Sequence, residues 1–207
     1  MSAISSTPTR AGRLRLVARL DTARHAADLL RNKEDVLERE RARLEGHTAR
    51  AEADWRERCH DAVAWLVRAR TLGASDEIGT LIQHTVEPAT VTPRWQDSMG
   101  IVYPGSVETR PGSAEALSST AALGPTSEAF RRALDAGATC AATTTAVNRL
   151  DAELAATRRR RRAIEERLQP GLENTLRELD VHLDELDREE AFRVHVAVEL
   201  QPSNHAR

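Results

Sequence analysis

Aromatic residues are scarce in this chain: three tryptophans, two phenylalanines and one tyrosine make up 3% of its 207 residues. A thick globular core is not expected without such bulk, whereas 30% charged residues and a dominance of Ala, Leu, Arg and Glu suit long helices with an apolar stripe. Cysteine is nearly missing as well. Cys59 and Cys140 are too few for a disulfide scaffold and are expected to stay reduced. No run of about 18 apolar residues occurs, so no bilayer span and no direct membrane insertion are expected. Met1 to Arg10 lacks the apolar stretch of a signal peptide, and a cytoplasmic location is the expectation. A basic surplus is absent too: the formal net charge is −2, which gives no footing for nucleic acid or an acidic membrane surface.

The common signatures of chemistry are likewise missing. Lys33, the only lysine, has no glycine-rich run before it, which excludes a Walker-type nucleotide site. Cys59, His60 and His47 are spaced so that they do not face one another on a helix, since neighbours three or four apart would, so they form no metal-ligand set. No nucleophile, base and orienter group stands out. The acidic run Asp184, Glu185, Asp187, Glu189 and Glu190 reads as a solvated helix face. Catalytic residues and cofactors are therefore both expected to be none.

What is present is periodicity. Leu16, Leu20, Ala23, Ala27, Leu30, Leu37, Leu44, Ala51, Trp55, Ala62, Leu66 and Ala69 recur at steps of three and four, a heptad seam interrupted at Glu34, Arg41 and Thr48. A helix of that length, roughly 90 Å, cannot bury its stripe alone. Its partner lies in the C-terminal third, where Val147, Leu150, Leu154, Thr157, Arg161, Ile164, Leu168, Leu172, Leu176, Leu179, Leu183 and Leu186 repeat the spacing. From Leu168 through Leu172 to Leu176 two consecutive steps of four occur beside Pro170 and Gly171, which predicts a slip in the seam and a bend there.

Between the helices, Gly, Pro, Ser and Thr accumulate and the heptads stop. Thr90–Thr92 and Ser98–Pro104 lean toward β structure and are expected to pair as a small hairpin, with Gly105 to Pro125 as loop. The fold class is therefore all-α: a long antiparallel two-helix coiled-coil hairpin with a small irregular or β-hairpin insert at the turn-around end. The expected divisions are a flexible segment 1–11, a first helix 12–71, an insert 72–126, a second helix 127–199 and a flexible tail 200–207. Folding the chain about a centre near residue 99 sets Arg158–Arg162 opposite Glu34, Asp35, Glu38 and Glu40, and Cys59 near Cys140. Trp55 and Trp65 read as seam-filling bulk, while Trp95 and Tyr103 either cover the insert's small apolar centre or face a partner.

Several segments, in order, carry a family resemblance. Thr7-Pro8-Thr9-Arg10, Arg13-Leu14 and Leu29-Leu30-Arg31-Asn32-Lys33 come near the start. Val147-Asn148-Arg149-Leu150-Asp151-Ala152-Glu153-Leu154, Thr157-Arg158-Arg159-Arg160, Ala163-Ile164-Glu165 and Pro170-Gly171-Leu172-Glu173 come near the end. Together they resemble the D subunit of the V/A-type rotary ATPases over about two-thirds of the chain, and the insert matches only loosely through Ser98–Val102 and Pro104. The resemblance implies a non-catalytic rotor shaft. It would stand in the bore of a head of catalytic A and B subunits, contact the small F subunit of the central stalk and rest on the funnel-shaped C/d subunit above the membrane ring. That places it in the cytoplasm, peripheral to the membrane.

Two groups are candidate partner contacts. Arg158, Arg159, Arg160 and Arg162 sweep more than one helical turn and either pair within the hairpin, with Glu34, Glu38 and Glu40, or meet acidic groups of the head or the small stalk partner. Val194, Val196 and Val198, with Leu200 beyond them, either pack against Leu14 to Leu20 or seat the axle tip in an apolar sleeve. The periodicity alone equally allows a free-standing coiled-coil adaptor or scaffold.

Overall fold

The computed structural model describes residues 9–83, 87–112 and 121–199. In chain order these form α1 (Arg10–Thr71), α2 (Ser75–Gln83), β1 (Thr90–Ser98), β2 (Ile101–Arg110), α3 (Leu123–Ala163), a π-helical turn (Ile164–Leu168) and α4 (Gln169–Glu199). Two compact units result, one from the described parts of 1–34 and 156–207, the other from 35–155. The expected tail 200–207 lies outside the described residues, as does most of the expected N-terminal segment.

In the first unit α1 runs antiparallel to α4. Arg13 meets Asp180 at 2.6 Å, Arg24 meets Glu173 at 2.9 Å and Arg31 meets Glu165 at 2.8 Å, so positions rise on one helix as they fall on the other. Leu16, Leu20 and Ala23 are buried against Leu172 and Leu179, with Ile164, Leu176 and Leu183 at the edge of the cluster. The slip read near Pro170 takes the form of the π turn, in which the Gln169 N–H donates to the Ile164 carbonyl. A π turn holds more residues than an α turn, and it absorbs the consecutive steps of four. Leu172 re-enters the seam at 1% exposure. Leu168, expected in the seam, is instead 37% exposed, because the wider turn carries it off the buried face.

In the second unit Leu37 and Leu44 of α1 pack with Ala146, Leu150 and Leu154 of α3. Farther along, Ala62 meets Ala129 and Ala133, and Ala69, Ala74, Ala122 and Leu123 close the turn between the helices. Glu34 is buried at its expected seam position, while Arg41 and Thr48 are half-buried. Trp55 departs from expectation: it is 41% exposed and does not fill the seam. A Cβ at Gly137 would lie 2.9 Å from its Nε1, so the indole lies across a position of α3 that has no side chain. Both cysteines are free thiols.

The insert is more ordered than its composition suggested. α2 was not anticipated, although Asp76 and Glu77 in its first turn favour a helix start. The strands pair antiparallel from Thr90 with Arg110 to Ser98 with Ile101, with an irregularity beside Trp95. Met99 and Gly100 form the two-residue connection at φ 53° and 81°, the left-handed pair that a tight hairpin turn requires. The turn therefore falls inside the stretch expected as the second strand. Residues 105–110, expected as loop, continue β2, and Leu123–Pro125 open α3, where proline is tolerated in the first turn. Residues 113–120 of that expected loop lie outside the described residues.

Leu150 is fully buried, so Leu150→Ala is expected to cost roughly 3 kcal/mol and lower Tm by roughly 8 °C. Leu168→Ala is expected to shift stability by less than about 1 kcal/mol. Thermal unfolding followed by circular dichroism checks both, and equal losses would contradict the displacement of Leu168 from the seam.

Candidate functional site

Three features of this molecule hold chemistry rather than plain apolar packing. The first is a polar layer in the first unit. Glu34, 6% exposed, accepts a 2.9 Å hydrogen bond from Arg161 Nε. Arg161 Nη1 donates to Glu165 at 2.6 Å, Arg31 donates to the other Glu165 oxygen at 2.8 Å, and Arg31 also meets Asp28 at 2.9 Å. Acids and bases alternate along this path, which crosses between the helices twice, so each acid on it has a base beside it. Hydrogen bonding to Glu34 raises the Arg161 pKa above its ordinary value. Beside this chain of charges Thr157 is fully buried, and among the described residues its Oγ1 has no hydrogen-bond partner.

Of the five-arginine run Arg161 is half-buried and pairs with Glu34, whereas Arg158, Arg159, Arg160 and Arg162 are exposed. The expected meeting of this run with Glu34 takes place, through Arg161. Glu40 does not join it, being held by Arg43 at 2.7 Å and by Tyr103. Arg158 and Arg160 are engaged in interactions of their own. Among the described residues Arg159 and Arg162 enter no ion pair, and both are exposed.

The second feature is the end of α4. Arg10, at the first position of α1, meets Asp187 at 3.0 Å, so residues 188–199 continue for roughly 18 Å past the start of α1. Val194 and Val198 are 58% and 64% exposed, Phe192 is 67% exposed, and Val196 is half-buried. Among the described residues these valines are not part of the cluster that holds Leu16 and Leu20. Leu16 and Leu20 are occupied by Leu172 and Leu179, and Leu14 is exposed. Leu200 lies outside the described residues.

The third feature, which the sequence reading missed, is the seat of the β-hairpin on the second unit's helices. Ile101 and Tyr103 of β2 join the Leu37, Leu44, Leu150 and Leu154 cluster. The Tyr103 hydroxyl donates to Glu40 at 2.8 Å. Arg149 Nη1 donates to the Val102 carbonyl at 2.6 Å, and its guanidinium lies 4.9 Å from the centre of the Trp95 ring. Thr109 bonds Asp135 near the other end of β2. The two insert aromatics therefore divide their roles: Tyr103 is 3% exposed and packs inward, while Trp95 is 53% exposed beneath Arg149. The signal was slight, a lone tyrosine in a strand of alternating residues. The hydrogen bond from Arg43 holds the Glu40 carboxyl below the usual carboxylate range against the opposing effect of burial, and Tyr103 adds to the lowering. Burial, then the Glu40 hydrogen bond, pushes the Tyr103 phenol up.

Antiparallel helical packing along a seam, with a β-hairpin strapped to the helices of the second unit, defines this protein as a helical-hairpin protein with a small β insert. Among the described residues no group of three or more His, Cys, Asp or Glu is arranged to hold a metal ion, and no helix is long and apolar enough to cross a membrane. The family of ATP synthase D subunits matches residues 13–199, insert included. The D subunit of the A-type ATP synthase of Thermococcus kodakarensis is 29% identical over 199 residues, covering 90% of each chain. The chain belongs to the ATP synthase D-subunit family.

Because the folded Glu40 pKa is depressed, its contribution is present above the unfolded value of 4.5 and is lost as pH falls through the lower folded one. The Tyr103 pKa is raised, so its contribution holds below 10 and is lost as pH rises through the higher folded value. Protection factors of the β2 amides, corrected for the base-catalysed rise in intrinsic exchange, are expected to fall at both extremes. Tyr103→Phe is expected to abolish the alkaline limb and to cost about 1–2 kcal/mol; an unchanged alkaline limb would refute the assignment. Thr157→Val removes a buried hydroxyl that bonds nothing and is expected to raise stability by about 1 kcal/mol, measured by denaturant titration. A loss there would mean that the hydroxyl has a partner after all.

Proposed function

We propose that this chain is the rotor shaft of a V/A-type ATP synthase or ATPase, transmitting torque between nucleotide turnover in the catalytic head and ion translocation through the membrane ring. The observation that carries the reading is the family match along nearly the whole chain, residues 13–199. The shaft is not itself a catalyst. It turns within the A and B head subunits, binds the small F subunit of the stalk and bears on the funnel-shaped C/d subunit, on the cytoplasmic side of the membrane.

The physical form supports this reading. Torque needs stiffness, and two helices packed along a seam resist twisting better than one. Rotation also needs contacts that break and reform at each step. Ion pairs between exposed surface charges suit this because each contributes only about 0–1 kcal/mol. The exposed valines and Phe192 at the end of α4 fit an axle tip in an apolar sleeve, and Arg158, Arg159, Arg160 and Arg162 fit acidic groups on the surrounding subunits. A turning, asymmetric shaft would move those subunits through successive conformations as rigid bodies.

The alternative is a free-standing coiled-coil adaptor. Affinity purification from native cells separates the two, because recovery with two ATPase head subunits supports the rotor and recovery as a lone homodimer supports the adaptor. Truncation after Arg193 is expected to leave the helical pair folded while impairing coupling. ATP-driven ion pumping that persists unchanged in the truncated complex would defeat the axle-tip assignment.

A further inference from the structure

An apolar heptad seam specifies that two helices pair, but specifies their axial alignment weakly. In the first unit Leu16, Leu20 and Ala23 face Leu172 and Leu179, and leucines and alanines recur at the same spacing to either side. A shift by one heptad would again bring apolar residues together. The difficulty is compounded by the π turn at Ile164–Leu168, since an extra residue accommodated at one place along a helix can also be accommodated a turn away.

The pairs of Arg13 with Asp180 and Arg24 with Glu173 also belong to the observed alignment but are exposed and weak; one pair with a buried member distinguishes it more sharply from its neighbours. We propose that Glu34 and Arg161 form a register lock, a single ionic contact at seam positions that fixes the axial alignment of α1 with its partner helix in the first unit and holds the π turn where it lies. Glu34 is 6% exposed and sits at a seam position, with Arg161 Nε 2.9 Å from its carboxylate. Glu165 and Arg31 brace the contact from both helices. A shift of seven residues in one direction would set Glu34 against Leu168 and Arg161 against Arg41. A shift in the other would set Glu34 against Leu154 and Arg161 against Ala27. Either leaves a buried charge without its partner, a much heavier penalty than that of an imperfect apolar contact. The lock therefore acts mainly by disfavouring the wrong alignments, and it adds little stability to the right one. The buried Thr157, whose hydroxyl bonds nothing, stands one helical turn away and adds no apolar bulk that would favour another register.

The test uses the full-length chain with Cys59 and Cys140 replaced by alanine and spin labels at the exposed positions 29 and 178, introduced as Leu29→Cys and Glu178→Cys. Pulsed dipolar spectroscopy on this parent is expected to give one narrow distance. With E34L/R161L, Tm is expected to stay level or rise while a second distance appears, displaced by roughly 10 Å for a one-heptad shift. The charge-swapped E34R/R161E is expected to return to the single distance. E34L alone is expected to lower Tm by roughly 5 °C, because it takes from the half-buried Arg161 the acceptor of its Nε hydrogen bond and leaves that guanidinium to Glu165 alone. The proposal is overturned if E34L/R161L keeps the parent's single narrow distance, and equally if that variant loses its helical signal, since an apolar seam is predicted to hold. A folded E34R/R161E with two distances would overturn it as well.

Discussion

A helix of 62 residues bearing one apolar stripe has to keep that stripe covered from end to end, and most of the architecture follows from this requirement. No globular core is at hand to receive it, so later helices of the same chain supply the cover. The two units meet the requirement differently. In the first, leucine faces leucine. In the second, toward the turn, alanine faces alanine at Ala62, Ala129 and Ala133. Small side chains let helix axes approach more closely, which leaves no room for an indole in the seam and is the physical reason Trp55 lies across Gly137 at the surface.

The polar interruptions of the seam are not equivalent. Glu34 is nearly fully buried and is matched by Arg161. Arg41 reaches the margin and pairs there with Asp151 and Glu45. The same residue types in an apolar pattern therefore serve two purposes, one deciding alignment and the other decorating the rim. The division separates specificity, which lies inside, from the outside, which carries many weak, exchangeable charges.

The helices, their antiparallel order and the approximate facing of the arginine run with Glu34 could be read from spacing alone, because heptads report directly which side chains must be buried. The insert could not be read so well. Its two strands alternate weakly, and β2 buries only Ile101, Tyr103 and Pro104, so no stripe announced its length. α2 buries no residue fully and follows a turn through Gly73, which masked its short helical pattern. The seat of the hairpin joins residues far apart in sequence, Tyr103 with Glu40 and Val102 with Arg149. No local period encodes such a meeting.

The sequence by itself determined that this chain builds long helices paired antiparallel along a seam, because 3% aromatic residues and a sustained heptad stripe admit little else, and its ordered motifs pointed to the family. Only the tertiary structure decided which seam positions are truly buried. A π turn removed Leu168, close alanine packing displaced Trp55, and α4 ran on past the start of α1 with Val194 and Val198 exposed. Each of these depends on the rotation and offset of one helix against another, and periodicity within a single helix does not contain that information.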